Sequence, residues 1–187
     1  MTQNLAIVGP FYPDQSDSDV TWNKVTSGAN QTFMLTASDN GTWCTTVDAS
    51  CINKSMVLDS GNTNYGAYYS WFATTAGTGT ISIISGSAPS SICPKGWRMP
   101  TAGHTVELRN YYSASAFGNN WTLFPLSFAL SGYRRGSTTY PAEDGKYWLN
   151  SAIDANGAAY MSLDTSTITT SGGSNRYFGF TVRCLAK

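Results

Sequence analysis

The stretch Cys93-Pro-Lys-Gly-Trp-Arg-Met-Pro100 constrains this chain more than any other. Pro94 and Pro100 each lack a backbone donor and fix φ, and Gly96 permits a tight turn. Trp97 carries the largest apolar surface of any side chain. A helix cannot hold that pattern, and a central strand accommodates it poorly. The stretch reads as a rigid, buried corner that leads into the helix-like run behind it. A second segment, Tyr177-Phe-Gly-Phe-Thr-Val-Arg-Cys184, reads as a strand from its β-branched and aromatic content. Phe178, Phe180, Val182 and Cys184 fall on one face, and Tyr177, Gly179, Thr181 and Arg183 on the other. Such a strand needs a sheet beside it, and a bond from Cys93 to Cys184 would set the corner against it.

Four cysteines admit three connectivities. Spacing favours Cys44 with Cys51 as a local loop and Cys93 with Cys184 as the long bridge. Four buried free thiols are the plainer alternative. A zinc site fits less well, because there is no CxxC and His104 is the single histidine. In the chain-entropy model the long bridge contributes about 4–5 kcal/mol and the short one about 2–3 kcal/mol.

A length of 187 residues suits one domain over 1–187, with 1–60 readable as an N-terminal extension holding the local disulfide loop. Charged residues make up 12%, about half the usual fraction, so the surface is expected to be neutral and polar. The net charge is zero and no basic cluster occurs, which argues against nucleic acid or an anionic membrane as partner. Six Trp, 11 Tyr and 8 Phe argue against disorder. This neutral, aromatic-rich composition fits an extracellular β-rich protein. Met1-Thr-Gln-Asn-Leu5 is no signal peptide, and no stretch reaches transmembrane length. Export or membrane attachment would therefore require a segment upstream of residue 1.

In chain order, Leu5-Ala-Ile-Val8 reads as an early strand stopped by Gly9-Pro10. Asp14-Gln-Ser-Asp-Ser-Asp19 alternates acids as a calcium loop does, but it lacks the glycine and terminal acid of an EF-hand and reads as a solvated loop. Phe33-Met-Leu35 is a further short strand. Asn30, Asn40, Asn53 and Asn120 match the glycosylation sequon, as chance alone produces in so Asn- and Thr-rich a chain. Tyr65, Tyr68, Tyr69, Trp71 and Phe72 could stack a carbohydrate, and core is the favoured reading. Residues 73–86 read as a loop; Gly77-Thr-Gly79 lacks the strand and helix that a nucleotide site needs.

After Pro100, Thr101 caps a helix over 105–112, and His104 at its start reads as a hydrogen-bonded surface residue. The remainder reads as β-hairpins with strands at 146–149, 158–164, 165–170 and 177–184. Turn signals at 143–145, 154–157 and 171–173 separate them. Trp148, Ala158, Met161 and Leu163 point inward together only if the turn at Asn156-Gly157 shifts phase.

Four ordered motifs carry a resemblance: Ser91-Ile-Cys-Pro-Lys-Gly-Trp-Arg-Met-Pro-Thr101, Leu130-Ser-Gly-Tyr-Arg134, Tyr147-Trp148 with Asn150-Ser-Ala152 behind it, and Gly179-Phe-Thr-Val-Arg-Cys-Leu185. The chain resembles the Fibrobacter succinogenes major paralogous domain family. That likeness implies the C-type-lectin-like fold, also found in the variable proteins of diversity-generating retroelements. The expected fold class is α+β, mostly antiparallel β-hairpins with one or two short helices, clamped by disulfides. The family pattern Tyr-Trp-Ser-Ser-Thr-Ala is broken here at Leu149 and Asn150, and the strand behind it carries Ala159, Tyr160 and Ser162. In retroelement-diversified members such departures fall on the ligand face. The likeness also sets limits. Neither Glu-Pro-Asn nor Gln-Pro-Asp occurs with Trp-Asn-Asp, so the calcium-dependent lectin pattern is missing. The closely spaced C-terminal cysteines of formylglycine-generating enzymes have no match, since Cys184 stands alone there.

The leading expectation is a ligand-binding module of a bacterial surface or secreted protein, taking an unknown protein or glycan ligand on another cell or surface. Its contact set is Arg134, Arg135, Tyr140, Trp148, Asn150, Ile153, Asp154, Asn156, Tyr160, Ser162, Asn175, Arg176 and Tyr177. About half of these are expected to be exposed. Tyr and Trp give rigid contact area, while Asn and Ser give adaptable hydrogen bonding. The alternative is a structural subunit of a surface layer, pilus or adhesin stalk. Catalysis is not expected, because no nucleophile–base pair or metal cluster is legible; neither a cofactor nor a metal is called for.

Overall fold

The computed structural model describes residues 36–37, 54–57, 67–75, 84–88, 91–93, 96–113, 122, 126–136, 138–140, 143–165 and 167–186. The expected strands at 5–8 and 33–35, the loop at 14–19, the pairing of Cys44 with Cys51 and the four sequon asparagines lie outside the described residues. The rest is α+β with mostly antiparallel strands and few helices. The elements are β1 (Thr36–Ala37), β2 (Lys54–Val57), β3 (Ala67–Tyr69), α1 (Trp71–Thr74), β4 (Gly86–Ser87), β5 (Trp97–Arg98) and α2 (Ala102–Ser113). They continue with β6 (Tyr133–Arg135), β7 (Thr138–Tyr140), β8 (Gly145–Ala152), β9 (Gly157–Leu163), β10 (Ile168–Asn175) and β11 (Leu185–Ala186).

The main sheet has the order β10-β9-β8-β4, antiparallel throughout. β8 and β9 are buried on both faces. Trp148, Ala152 and Ala158 pack with Trp71, Phe180 and Val182 on one side. Tyr147, Leu149, Ala159, Met161 and Leu163 pack with Phe128 and Leu108 on the other. The expected single inward set of Trp148, Ala158, Met161 and Leu163 is therefore split between two cores. A sheet covered on both faces makes both alternation sets apolar, so period two no longer separates inside from outside.

α2 begins three residues earlier than the sequence pattern predicts, because its cap is a reciprocal pair. The His104 N–H reaches the Thr101 hydroxyl at 3.4 Å, and the Thr101 N–H donates to His104 Nδ1 at 3.0 Å. This is the logic of the capping box with histidine in place of Glu or Gln. The Thr105 hydroxyl donates to the Thr170 carbonyl at 2.5 Å and ties the helix to β10. α1 and β4 both touch the stretch read as a loop over 73–86. Ser70 caps α1 by accepting from the Ala73 N–H at 3.2 Å, a signal hidden inside the aromatic run. Tyr68, Tyr69, Trp71 and Phe72 are core, as favoured, and Tyr65 lies outside the described residues.

The corner forms at Gly96, whose φ of +79° is the left-handed conformation that favours glycine. Met99 and Pro100 are buried, Trp97 is half-buried, and the Pro100 carbonyl accepts from the Asn150 N–H at 2.9 Å. Cys93 and Cys184 form a disulfide with Cα atoms 5.8 Å apart and a sequence separation of 91. The bond sets the corner beside β11, and β5 pairs with β11.

The expected strand over 177–184 is corrected. Residues 179–181 cross the core and make single bridges to three different segments: Gly179 to Arg134, Phe180 to Tyr69 and Thr181 to Tyr147. Regular pairing resumes only at β11. The turn expected at 171–173 is corrected too, since these residues lie within β10, where the register shifts between Thr169 and Gly172. A bulge uses glycine as readily as a turn does.

Candidate functional site

Phe180 organises the side of the molecule where the hairpins meet. Its side chain is 1% exposed. Trp148 stacks on it at 4.3 Å, and Tyr160, Tyr133 and Phe178 meet it edge-on at 5.1, 5.9 and 6.3 Å. Trp148 is buried beneath, whereas Tyr133, Tyr160 and Phe178 are half-buried. Each comes from a different element: Tyr133 from β6, Tyr160 from β9 and Phe178 from the crossing that also carries Phe180. The single-residue bridges of that crossing bring them to one place.

A second ring of side chains surrounds these three. Tyr140 stacks flat on Tyr133, with centroids 4.5 Å apart and planes 5° apart. Lys146 Nζ lies 3.8 Å from the Tyr133 centroid and 3.0 Å from Asp144. The Arg135 guanidinium lies 5.4 Å from the Phe178 centroid, and Tyr177 meets Phe178 edge-on at 4.9 Å. Asn175 Nδ2 reaches the Tyr177 hydroxyl at 3.5 Å. Burial, followed by the neighbouring Tyr140 and Asp144, pushes the Tyr133 phenol above its usual range, and Arg135 pulls the other way. The surface thus combines flat apolar area, phenol tips, two cations and one carboxylate.

The predicted contact residues divide by depth. Arg135, Ile153, Asp154, Asn156 and Asn175 are exposed; Tyr140, Asn150, Tyr160, Ser162 and Tyr177 are half-buried. Arg134, Trp148 and Arg176 are interior and are corrected as surface contacts. Trp148 supports Phe180 and donates from Nε1 to the Tyr69 carbonyl at 2.8 Å. Arg134 donates from Nη1 to the Thr139 hydroxyl at 3.1 Å, and its backbone pairs with Gly179. Arg176 lies over Trp71 at 4.6 Å, donates from Nε to the Gly157 carbonyl at 3.1 Å and donates to the Asp154 carbonyl from Nη2. A guanidinium is the side chain whose fork of donors can hold two turn carbonyls at once. Burial pushes both guanidinium pKa values down.

The structure joins Arg135, Tyr140, Tyr160, Asn175 and Tyr177 into the aromatic face. Ser162 sits opposite Lys146 on the neighbouring strand. Ile153, Asp154, Asn156 and Asn175 line a shallow recess of about 560 Å3 beside it. Asn150 stands apart: its backbone pairs with Pro100 and Ala88, and its Oδ1 is buried without a hydrogen-bond partner among the described residues. The sequence reading missed Tyr133, Lys146 and Phe178. Phe178 shares the parity of Phe180 and so reads as core; the signal for Tyr133 is its place one residue from Arg134 in a motif already noted.

Among the described residues, no group of three or more His, Cys, Asp or Glu side chains is placed to hold a metal ion. No described helix is long and apolar enough to cross a membrane. Fold and site together define a disulfide-clamped α+β protein with an aromatic, polar-rimmed face. Comparison with protein-family models, curated proteins and solved structures finds no match to the chain.

Proposed function

We propose that this chain is a ligand-recognition module of C-type-lectin-like architecture, carried by a bacterial surface or secreted protein. Its ligand is a protein or glycan on another cell or surface, and its binding face is the aromatic surface around Phe180. One observation carries this reading: three half-buried aromatic residues rest their rings on a buried aromatic hub. Rigid Tyr and Phe area, rimmed by Asn, Ser, Arg and Lys, is the composition of recognition surfaces. Binding residues sit well on irregular segments that a scaffold positions. The disulfide agrees with an oxidising location. The likeness of the four motifs to retroelement-associated proteins extends the reading: Tyr160, Ser162, Asn175 and Tyr177 are positions where side chains are exchanged. A near-copy of the coding region beside the gene supports that extension, and its absence removes it.

A glycan and protein array probed with the native chain tests the binding role. Ligands found there lose affinity at least about fivefold with Tyr160→Ala and Tyr177→Ala, as truncating an interface hot-spot tyrosine costs more than about 1 kcal/mol. Thermal stability changes little in Tyr177→Ala. Loss of binding and of stability in equal measure in both variants, or an array without ligands, contradicts the proposal.

A second reading, a structural subunit, draws on β10. Among the described strands this one ends the main sheet, and its sequence Ile-Thr-Thr-Ser-Gly-Gly-Ser-Asn holds neither charge nor proline to block pairing with a second copy. Sedimentation on dilution separates the two: a stable monomer favours recognition, and concentration-dependent assembly favours the building block.

A further inference from the structure

On the opposite face of the main sheet, the second core leaves an opening among the described residues. A cavity of about 590 Å3 opens between α2, the loop carrying Phe128 and β11. Leu108, Phe128 and Met161 form its walls, with Tyr111 and Leu185 toward solvent at 67% and 36% exposure. Its size falls in the range of small-molecule sites, roughly 300–1,000 Å3. The lining is not apolar throughout: His104, Thr105 and the exposed Glu107 contribute from α2, and the one buried charge is Arg183. The Arg183 side chain lines the cavity at 7% exposure, stacks on Phe128 at 4.1 Å and donates to the Leu126 carbonyl. Burial pushes its pKa down, with Tyr147 opposing, so the surroundings disfavour the charge that arginine nonetheless keeps.

We propose that this cavity is a binding site, distinct from the aromatic face, for an apolar carboxylate of the fatty-acid class. The assignment follows from charge complementarity. The guanidinium fork matches a carboxylate in geometry, and a hydrogen-bonded ion pair at the edge of an apolar space offsets the desolvation of both ions. The hydrocarbon tail covers Leu108, Phe128 and Met161 and removes their exposed area from water. A neutral hydrocarbon fills the same space without engaging the buried charge, and an amine placed at Arg183 meets like charge, the only carboxylate in the lining being the exposed Glu107. The site stands on its own observations and does not depend on what the aromatic face binds.

The probe is cis-parinaric acid, a fluorescent long-chain carboxylate, titrated into the full chain beside its methyl ester. One saturable site is expected, with the ester at least about tenfold weaker, since a hydrogen bond to a charged group is worth about 1.5–3 kcal/mol. Arg183→Met should bring acid and ester to equal affinity. Leu108→Trp, which fills the cavity and leaves Arg183 in place, should abolish the binding of both. If Arg183→Met does not fold, the acid-against-ester comparison on the native chain and the Leu108→Trp variant still decide. Equal affinity for acid and ester on the native chain, an absence of saturable binding, or unchanged binding in folded Leu108→Trp overturns the proposal.

Discussion

Phe180 is the residue on which most of the site geometry converges. It is enclosed by Trp148, Tyr133, Tyr160 and Phe178, and its backbone pairs with Tyr69 in both directions, at 2.9 and 3.1 Å. Phe180→Ala should lower stability by about 3–5 kcal/mol, the cost of emptying a buried phenylalanine site. Urea denaturation measures it. A cost below about 1 kcal/mol would mean that the rings do not lean on this side chain. The burial of Arg176 and Arg134 shows why composition misleads at this scale. Arginine next to turn signals reads as surface, yet here both side chains are buried and their donors serve the protein's own backbone carbonyls and the Thr139 hydroxyl.

At the scale of elements, what could be read in the sequence depended on whether a segment keeps one pairing partner. β8 and β9 meet each other along most of their length; the expected 146–149 falls within β8, and the expected 158–164 overruns β9 by one residue. α2 announced itself through Pro100 and Thr101, and only its first turn was lost, because a histidine replaces the usual capping acid. The crossing at 179–181 reads as an ordinary strand in the sequence. It changes partner at every residue, and no local pattern reports partners supplied from residues 69, 134 and 147. Both its faces are buried, so alternation has no solvent side to mark. The aromatic face was legible in its phenols and asparagines, which sit near turns. It was illegible in Phe178 and Tyr133, whose exposure follows from tertiary placement alone.

β10 offers a test at the same scale. A Cβ on Gly172 would lie 2.6 Å from Tyr160 Cζ, so the ring rests directly on the glycine. The clash is with the far end of a side chain that can swing away. Gly172→Ala should therefore shift Tyr160 and weaken ligand binding while changing stability by less than about 1 kcal/mol, within the range of ordinary substitutions. Binding at native strength with the alanine in place would detach Tyr160 from the site.

The whole molecule is held by two things of different kind: cores on both faces of one sheet, and a bond between the corner and the end of the described chain. Replacing both Cys93 and Cys184 by alanine should cost about 4–5 kcal/mol in the chain-entropy model, because the bridge closes a long loop in the unfolded state. Chemical denaturation of the double variant reads this directly, and a cost near zero would reduce the clamp to a bystander. Between the cores and the clamp, the hairpin side chains are left to vary without unfolding what lies beneath them. A saturation substitution scan with protease resistance as readout tests that separation most directly. Arg135, Tyr140, Ser162, Asn175 and Tyr177 should accept most substitutions and stay folded, whereas Trp148, Arg176 and Phe180 should accept almost none. Equal intolerance across the two groups would show that the aromatic face belongs to the core, and the recognition surface described above would not exist.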